Sequence, residues 1–440
     1  MAAQHPFSVH NFRCYWVSRL AATLAQLSMI IVIGWQAYDI ARETMGIKAA
    51  ALQLGLIGLS EFIPMLLLSL YAGWVADRID RRWIARASVT LLTFCAATLA
   101  WLTYTDSVTL PALFAISVLL GLSRAFAGPA LSALAPNLVP KEILPSAIAL
   151  SALAWQVGTV IGPAMGGYLY AANHTLPYAV ATGLFLLSLL MLFLITPVPR
   201  PARNEGNPWH QMLEGLTYVR RNRLVLGAIS LDLFAVLLGG ATAMLPVYAR
   251  DILMVGADGL GHLRAAPALG AVAVAVFFAW RPLKTEVGKK MLLAVAGFGV
   301  ATVVFGLAAP AMVSLLGPSM VGSDWAPAVL VSLAALFVLG ASDMVSVYIR
   351  QSLIQLYTPD EMRGRVGAVS TLFISGSNEL GEAESGFLAA LIGPVAAVVG
   401  GGIGAVLVTM LWAKLFPELR RARTFDPPET LEFMPKEAPQ

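Results

Sequence analysis

Charge is what this 440-residue chain has least of. Asp, Glu, Lys and Arg supply 12% of the residues, about half the share in an ordinary soluble protein. With 58% of the residues hydrophobic, the chain cannot clothe a core in polar surface, so its solvent must be largely lipid. The two cysteines, Cys14 and Cys95, lie in or beside apolar runs; they suggest no disulfide framework and read as small packing residues. The five histidines are scattered and build no His-Cys metal cluster, so neither a metal nor a cofactor is expected. A Gly-Lys-Ser/Thr phosphate loop is missing, which leaves ATP-driven transport unsupported. A Gly-x-Ser-x-Gly element is missing too, and with it a reason to expect a hydrolase or other enzyme. Residues Met1 to Phe12 lack the basic stretch, short apolar core and cleavage site of a signal peptide, so the first apolar run is expected to be a retained span.

What the chain has is apolar runs. A span needs about 20 mostly apolar residues to cross about 30 Å of hydrocarbon. Runs of that kind fall near 14–40, 51–76, 84–104, 108–131, 143–171 and 176–197, and again near 223–249, 260–281, 289–309, 326–352, 365–392 and 395–416. Twelve runs in two groups of six predict an all-α membrane protein, because lipid offers open backbone groups no partners and runs this long exclude a β-barrel. With both termini on the cytoplasmic side, all but Arg42, Lys48, Arg250 and Arg264 of the 29 Lys and Arg fall on the inner side or inside spans. That asymmetry is the positive-inside pattern. It accounts for the net charge of +4 without nucleic acid.

The two groups repeat in parallel. At an offset of 219 residues, Gly121-Leu-Ser123 matches Gly340-Ala-Ser342, Pro140 matches Pro359, Ser151 matches Ser370, and Gly162 and Gly167 match Gly381 and Gly386. Parallel repeats of six helices are a recognised transporter plan. They predict an N-terminal bundle over 1–197, a linker over 198–222, a C-terminal bundle over 223–416 and a tail over 417–440 that reads as disordered past Phe425. Within the linker, Trp209 to Val219 can form an amphipathic helix with Trp209, Leu213 and Leu216 toward lipid.

Two motifs stand out. Between the second and third runs is Gly73-Trp-Val-Ala-Asp77-Arg78-Ile-Asp80-Arg81-Arg82. Gly73 permits close helix approach, Asp77 can pair with a cation or a helix N-terminus, and Arg78, Arg81 and Arg82 hold the loop at the membrane surface. The same charges would equally serve only to fix topology. The fifth run carries Gly158-Thr-Val-Ile-Gly162-Pro163-Ala-Met-Gly166-Gly167. Gly158 and Gly162 share a face that another backbone can approach, and Pro163 removes one hydrogen bond and favours a bend.

The first motif resembles the major facilitator signature Gly-x-Leu-Ala-Asp-Arg-x-Gly-Arg-Arg, departing at Val75 and Asp80. The second resembles the Gly-x-x-x-Gly-Pro-x-x-Gly-Gly signature of major facilitator antiporters at every fixed position. Arg124-Ala-Phe-Ala-Gly128 partly resembles the Arg-x-x-Gln-Gly element of proton-coupled members, with Ala127 in place of the glutamine. The segments around Leu138–Pro140, Met362–Val366 and Phe416–Arg421 are similar to those of the enterobactin-exporter-like branch. The resemblance implies the major facilitator fold of 12 transmembrane helices in two pseudo-symmetric six-helix bundles, a gating latch at Gly73, Asp77, Arg78, Arg81 and Arg82, and export linked to the fifth helix.

Polar residues inside apolar runs are costly, about 2.5–3.5 kcal/mol or more for an arginine, and they mark sites. The resemblance places the first, fourth, seventh and tenth helices around a central cavity, with Arg19, Gln26, Arg124, Asp232 and Asp343 on them. Arg124 and Asp343 are equivalent under the 219 offset, which predicts a basic residue of one half facing an acidic one of the other. A static pair that only fixes packing is the plain alternative. Trp155, Gln156 and Tyr348 can stack on or hydrogen-bond an organic substrate. Glu379 and Glu382 share a helical face, and Glu379 sits about 20 Å from Arg365 at about 1.5 Å per residue. With Glu61 they are the candidate proton carriers.

The expected protein is a monomeric, multi-pass secondary transporter of the bacterial inner membrane. It would move a siderophore-like or drug-like small molecule by alternating access, coupled to protons in the direction of export. An importer or facilitator of the same fold, and a lipid-handling membrane protein or enzyme, are the alternatives.

Overall fold

Each apolar run closes its backbone hydrogen bonds within itself, as a segment in hydrocarbon must. The computed structural model describes residues 5–76, 79–134, 138–140, 143–197, 208–281, 283 and 285–425, and no strand occurs among them. The helices are α1 (His10–Thr44), α2 (Ile47–Ala76), α3 (Arg81–Tyr104), α4 (Leu110–Leu134), α5 (Leu144–Ala172), α6 (Leu176–Leu194), α7 (Pro208–Arg221) and α8 (Arg223–Leu238). After them come α9 (Leu245–Val247), α10 (Gly256–Trp280), α11 (Val287–Leu316), α12 (Pro327–Tyr357), α13 (Asp360–Ile392), α14 (Pro394–Leu415) and α15 (Pro417–Arg421).

Eleven segments among the described residues are long and apolar enough to cross a membrane. The expected run over 365–392 falls in the long helix α13, which is not among the eleven and carries Glu379, Glu382 and Glu384 within that run. The seventh span is interrupted. Helix α8 stops at Gly239, a 3₁₀ turn and α9 follow, and a π turn spans Tyr248–Ile252. Pro163 is carried inside a continuous α5.

Helix α1 packs on α5 and α6, α2 on α4, and α3 on α4 and α6. Helix α12 packs on α10 and α11, α11 on α14, and α8 on α13 and α14. The two groups meet chiefly where α2 packs on α13 and α5 on α10.

The glycines of the 219-residue repeat explain why these helices approach so closely. A Cβ on Gly121 of α4 would strike the backbone of Glu61 in α2, and one on Gly340 of α12 would strike that of Pro267 in α10. Gly162 sits on the Leu24 carbonyl of α1, and its counterpart Gly381 on the Val236 and Leu237 carbonyls of α8. Gly167 meets Gly261 of α10, and Gly386 meets Gly55 of α2. The first two pairs make the same contact each in its own half, and the last pair joins the halves twice. Lipid supplies no hydrophobic drive between helices, so small-residue contact of this kind is what holds them together.

The amphipathic linker segment is helix α7. Its Gly215 lies on the Arg365 backbone at the start of α13, Glu214 pairs with Arg365, and the Tyr218 hydroxyl donates to the Tyr357 carbonyl at 2.7 Å. Leu213 and Leu216 remain exposed. The Trp209 side chain lies outside the described residues.

Candidate substrate and coupling site

Four helices bring five charged side chains to the seam between the halves. Glu61 comes from α2, Arg124 from α4, Arg264 from α10, and Glu379 and Glu382 from α13. Gly121, one turn before Arg124, lets α4 close on the Glu61 backbone. The Arg124 Nη1 donates to Glu61 Oε1 at 2.7 Å and to Glu379 Oε1 at 2.9 Å. One guanidinium therefore holds a carboxylate of each half. Such charge-assisted bonds are short and strong, and removing one partner leaves an uncompensated charge.

Glu61, Glu382 and Arg264 line one small pocket. Its other wall is apolar: Ile30, Ile31, Ile33 and Gly34 of α1 with Leu54, Ile57 and Gly58 of α2. The lining is thus oily on one side and charged on the other, and the five-residue cluster has one more acid than base.

The expected Arg124–Asp343 pair is not formed in this conformation. Equivalent positions of the repeat lie on α4 and α12, and these helices pack on different neighbours, α2 with α3 and α10 with α11. It is α13, laid across α2, that delivers an acid to Arg124. Asp343 instead lines a niche with Asp232, Ser342, Ser346 and Phe298 inside the second group of helices. Asp232 pairs with Arg350, and both are buried.

The other expected site residues are dispersed. Arg19 donates to the Tyr15 hydroxyl at 2.9 Å and lies 6.0 Å from the Trp155 ring centroid, so these two do meet. Gln156 is exposed and Gln26 half-buried. Tyr348 packs on the Phe278 and Phe425 rings, at 4.8 and 6.1 Å between centroids.

In the antiporter-like motif, a Cβ on Gly158 would meet Thr23, on Gly162 Leu24 and Leu27, and on Gly166 Ser28, so α1 is the backbone this stripe receives. Gly167 looks the other way, at α10. Of the loop motif, Asp77 and Arg78 lie outside the described residues, as do the surroundings of Gly73. Asp80, which stands where the signature has glycine, accepts from the Arg82 backbone N–H at 3.0 Å as the N-cap of α3. It also pairs with the Arg82 side chain at 2.6 Å. Arg81 opens α3 beside it.

Three features escaped sequence reasoning. Arg264 read as an outer-side charge, yet it lies nine residues into α10 facing Glu382 across the shared space. The second is a lock where α1 ends. Arg42 grips Asp251 through Nη2 at 2.9 Å and Nε at 3.1 Å, and the Tyr38 hydroxyl donates to the same carboxylate at 2.5 Å. The third is its reciprocal, Arg250 paired with Asp39 at 2.6 Å. The signal was present as an acid and a base at the end of each of two runs, Asp39 with Arg42 and Arg250 with Asp251. Asp251→Asn is expected to weaken closure of this end by about 2 kcal/mol, the low end for a partly exposed pair across an interface. The charge swap Arg42→Asp with Asp251→Arg should restore closure, and labelling of a cysteine introduced at Leu54 measures both. Equal labelling in all three proteins would remove the lock.

Two groups of helices, joined by a polar linker and sharing a charged seam beside a cavity, define a membrane transporter for a small molecule. The chain belongs to the Major Facilitator Superfamily, whose family profile matches residues 15–381. It is 28% identical over 302 residues to the enterobactin exporter EntS of Shigella boydii serotype 18, covering 68% of either chain. The same identity and coverage hold for the enterobactin exporter EntS of Escherichia coli O1:K1. Among solved structures it is similar to a D-xylose–proton symporter, with a TM-score of 0.68 at 14% identity over 94% of this chain and 99% of the other. A bacterial homolog of the human lysosomal transporter Spinster, inward-facing and unoccupied, matches with a TM-score of 0.67 at 14% identity, covering 93% of this chain and 98% of that one. The protein is a multi-pass membrane transporter and not an enzyme.

Proposed function

We propose that this chain exports a small amphiphilic molecule of the siderophore or drug-like class in exchange for protons. In this reading it spans the membrane twelve times, with α13 as the eleventh crossing and both termini in the cytoplasm. The bundles 1–197 and 223–416 rock about the seam between them, the linker 198–222 and tail 417–440 lie on the inner face, and the monomer is the working unit. The observation that carries the reading is Arg124 held between Glu61 of one half and Glu379 of the other. A proton arriving on Glu379 releases its half of that grip, and departure of the proton restores it, which ties the rocking motion to protonation. The mixed apolar and charged lining around Glu61, Arg264 and Glu382 suits a cargo with an oily body and a polar head. Similarity to exporters supports the direction.

Inverted membrane vesicles test this with enterobactin as the probe. Uptake into them is expected to rise with an imposed pH gradient, acid inside, and to collapse when the gradient is dissipated. Glu379→Gln is expected to remove the gradient dependence, lowering gradient-driven uptake at least tenfold. Uptake that ignores the gradient in the parent protein would end the proton-coupled reading. Uptake into right-side-out vesicles alone would reverse the direction.

A further inference from the structure

A second site lies at the far end of the second helix group, apart from the transport seam. Just before α11, Glu286 precedes the helix whose first turn holds Lys289. Against it lie Arg420 and Arg421 of α15, followed by Arg423. These five side chains line one concavity. Its walls are fixed by backbone contacts. The Gly288 N–H donates to the Ala422 carbonyl at 3.0 Å, the Val287 N–H to the Arg423 carbonyl at 3.4 Å, and Leu419 is buried against Gly288.

Charge in this concavity is unbalanced. Lys289 is paired with Glu286 at 2.8 Å, and that hydrogen bond holds the Glu286 carboxyl below its usual range. Glu418, the acid of α15, is taken by Arg223 at 2.8 Å. Arg420, Arg421 and Arg423 form no ion pair among the described residues. The position matches a lipid boundary. Candidate spans begin at Val287 and end at Leu415, and Leu293 of α11 with Leu411 and Leu415 of α14 are exposed apolar side chains. Scattered inner-side arginines would fix topology just as well. Gathering three of them in one ordered hollow above an apolar wall adds a shape that topology does not require.

We propose that this hollow binds the phosphodiester headgroup of an anionic phospholipid from the adjoining leaflet, its acyl chains lying along α11 and α14. A zwitterionic headgroup brings its own cation to the arginines and gains less. The inference is independent of the cargo and of proton coupling.

The test is lipid titration of the purified full-length protein in detergent, read by native mass spectrometry. Phosphatidylglycerol is expected to bind saturably, and phosphatidylcholine and inorganic phosphate to bind far more weakly. A basic residue near an anionic surface contributes about a five-fold factor. The triple variant Arg420→Gln, Arg421→Gln, Arg423→Gln should therefore bind phosphatidylglycerol about a hundredfold more weakly. Arg220→Gln with Arg221→Gln, which removes two exposed charges from α7, should leave the midpoint unchanged. These are surface changes, and circular dichroism checks that each variant folds. Unchanged binding by the triple variant overturns the site, as does equal loss in the α7 variant. Inorganic phosphate competing at the same midpoint overturns the lipid assignment.

Discussion

Arg124→Gln is expected to abolish transport and to lower stability by about 3–5 kcal/mol, the cost of leaving buried charge without its partner. Arg124 is bonded to Glu61 and Glu379 at once, so its loss sets two carboxylates against each other. The double variant Arg124→Gln, Glu61→Gln removes one of them. Contacting residues of one network couple by about 0.5–3 kcal/mol, so the double variant should recover part of the lost stability and none of the transport. Thermal unfolding in detergent and vesicle uptake separate the two effects. A single variant that transports at the parent rate would show that Arg124 is a packing residue alone.

Gly386→Val is expected to hold the end marked by Asp251 open. A Cβ there would sit 2.7 Å from the Gly55 Cα and 2.8 Å from its nitrogen. Backbone on both sides cannot rotate away as a side chain can. Gly167→Val, with Cβ 2.7 Å from the Gly261 Cα, is the symmetry-related experiment and should act alike. Overpacking costs about 1–3 kcal/mol, which shifts a two-state balance roughly 5- to 150-fold toward the open form. Maleimide labelling of Leu54→Cys reports it, since Leu54 is buried in the closed form and both native cysteines are buried. Gly183→Val, at a position with nothing within 4 Å of the new carbon, is the control. Labelling of Gly386→Val no greater than the control's would mean that the glycine crossings do not set closure.

The repeat was readable because each of its glycines answers to a local need, a helix face with no side chain in the way. Gly121 with Gly340, and Gly167 with Gly386, kept their spacing because the contacts they permit recur in both halves. The partner of each contact was not readable. Arg124 and Asp343 are equivalent by sequence, yet equivalence puts them on corresponding helices and not against each other. Arg264 illustrates the same gap. Its neighbours in sequence suggest an outer charge, and its neighbour in space is the seam.

The chain's scarcity of charge and its long apolar runs determined, by themselves, that lipid is the solvent and that helices are the answer, because the need to satisfy the backbone in hydrocarbon is met within each run. The glycine spacing determined that there are two related halves. Only the tertiary structure decided which charges meet, because α2 lies across α13 and α5 across α10, and those crossings bring Gly55 to Gly386 and Gly167 to Gly261, residues far apart in the chain, as they bring Glu379 to Arg124. Coulomb attraction acts through space, and no local pattern records which of several intramembrane acids will arrive beside a given arginine.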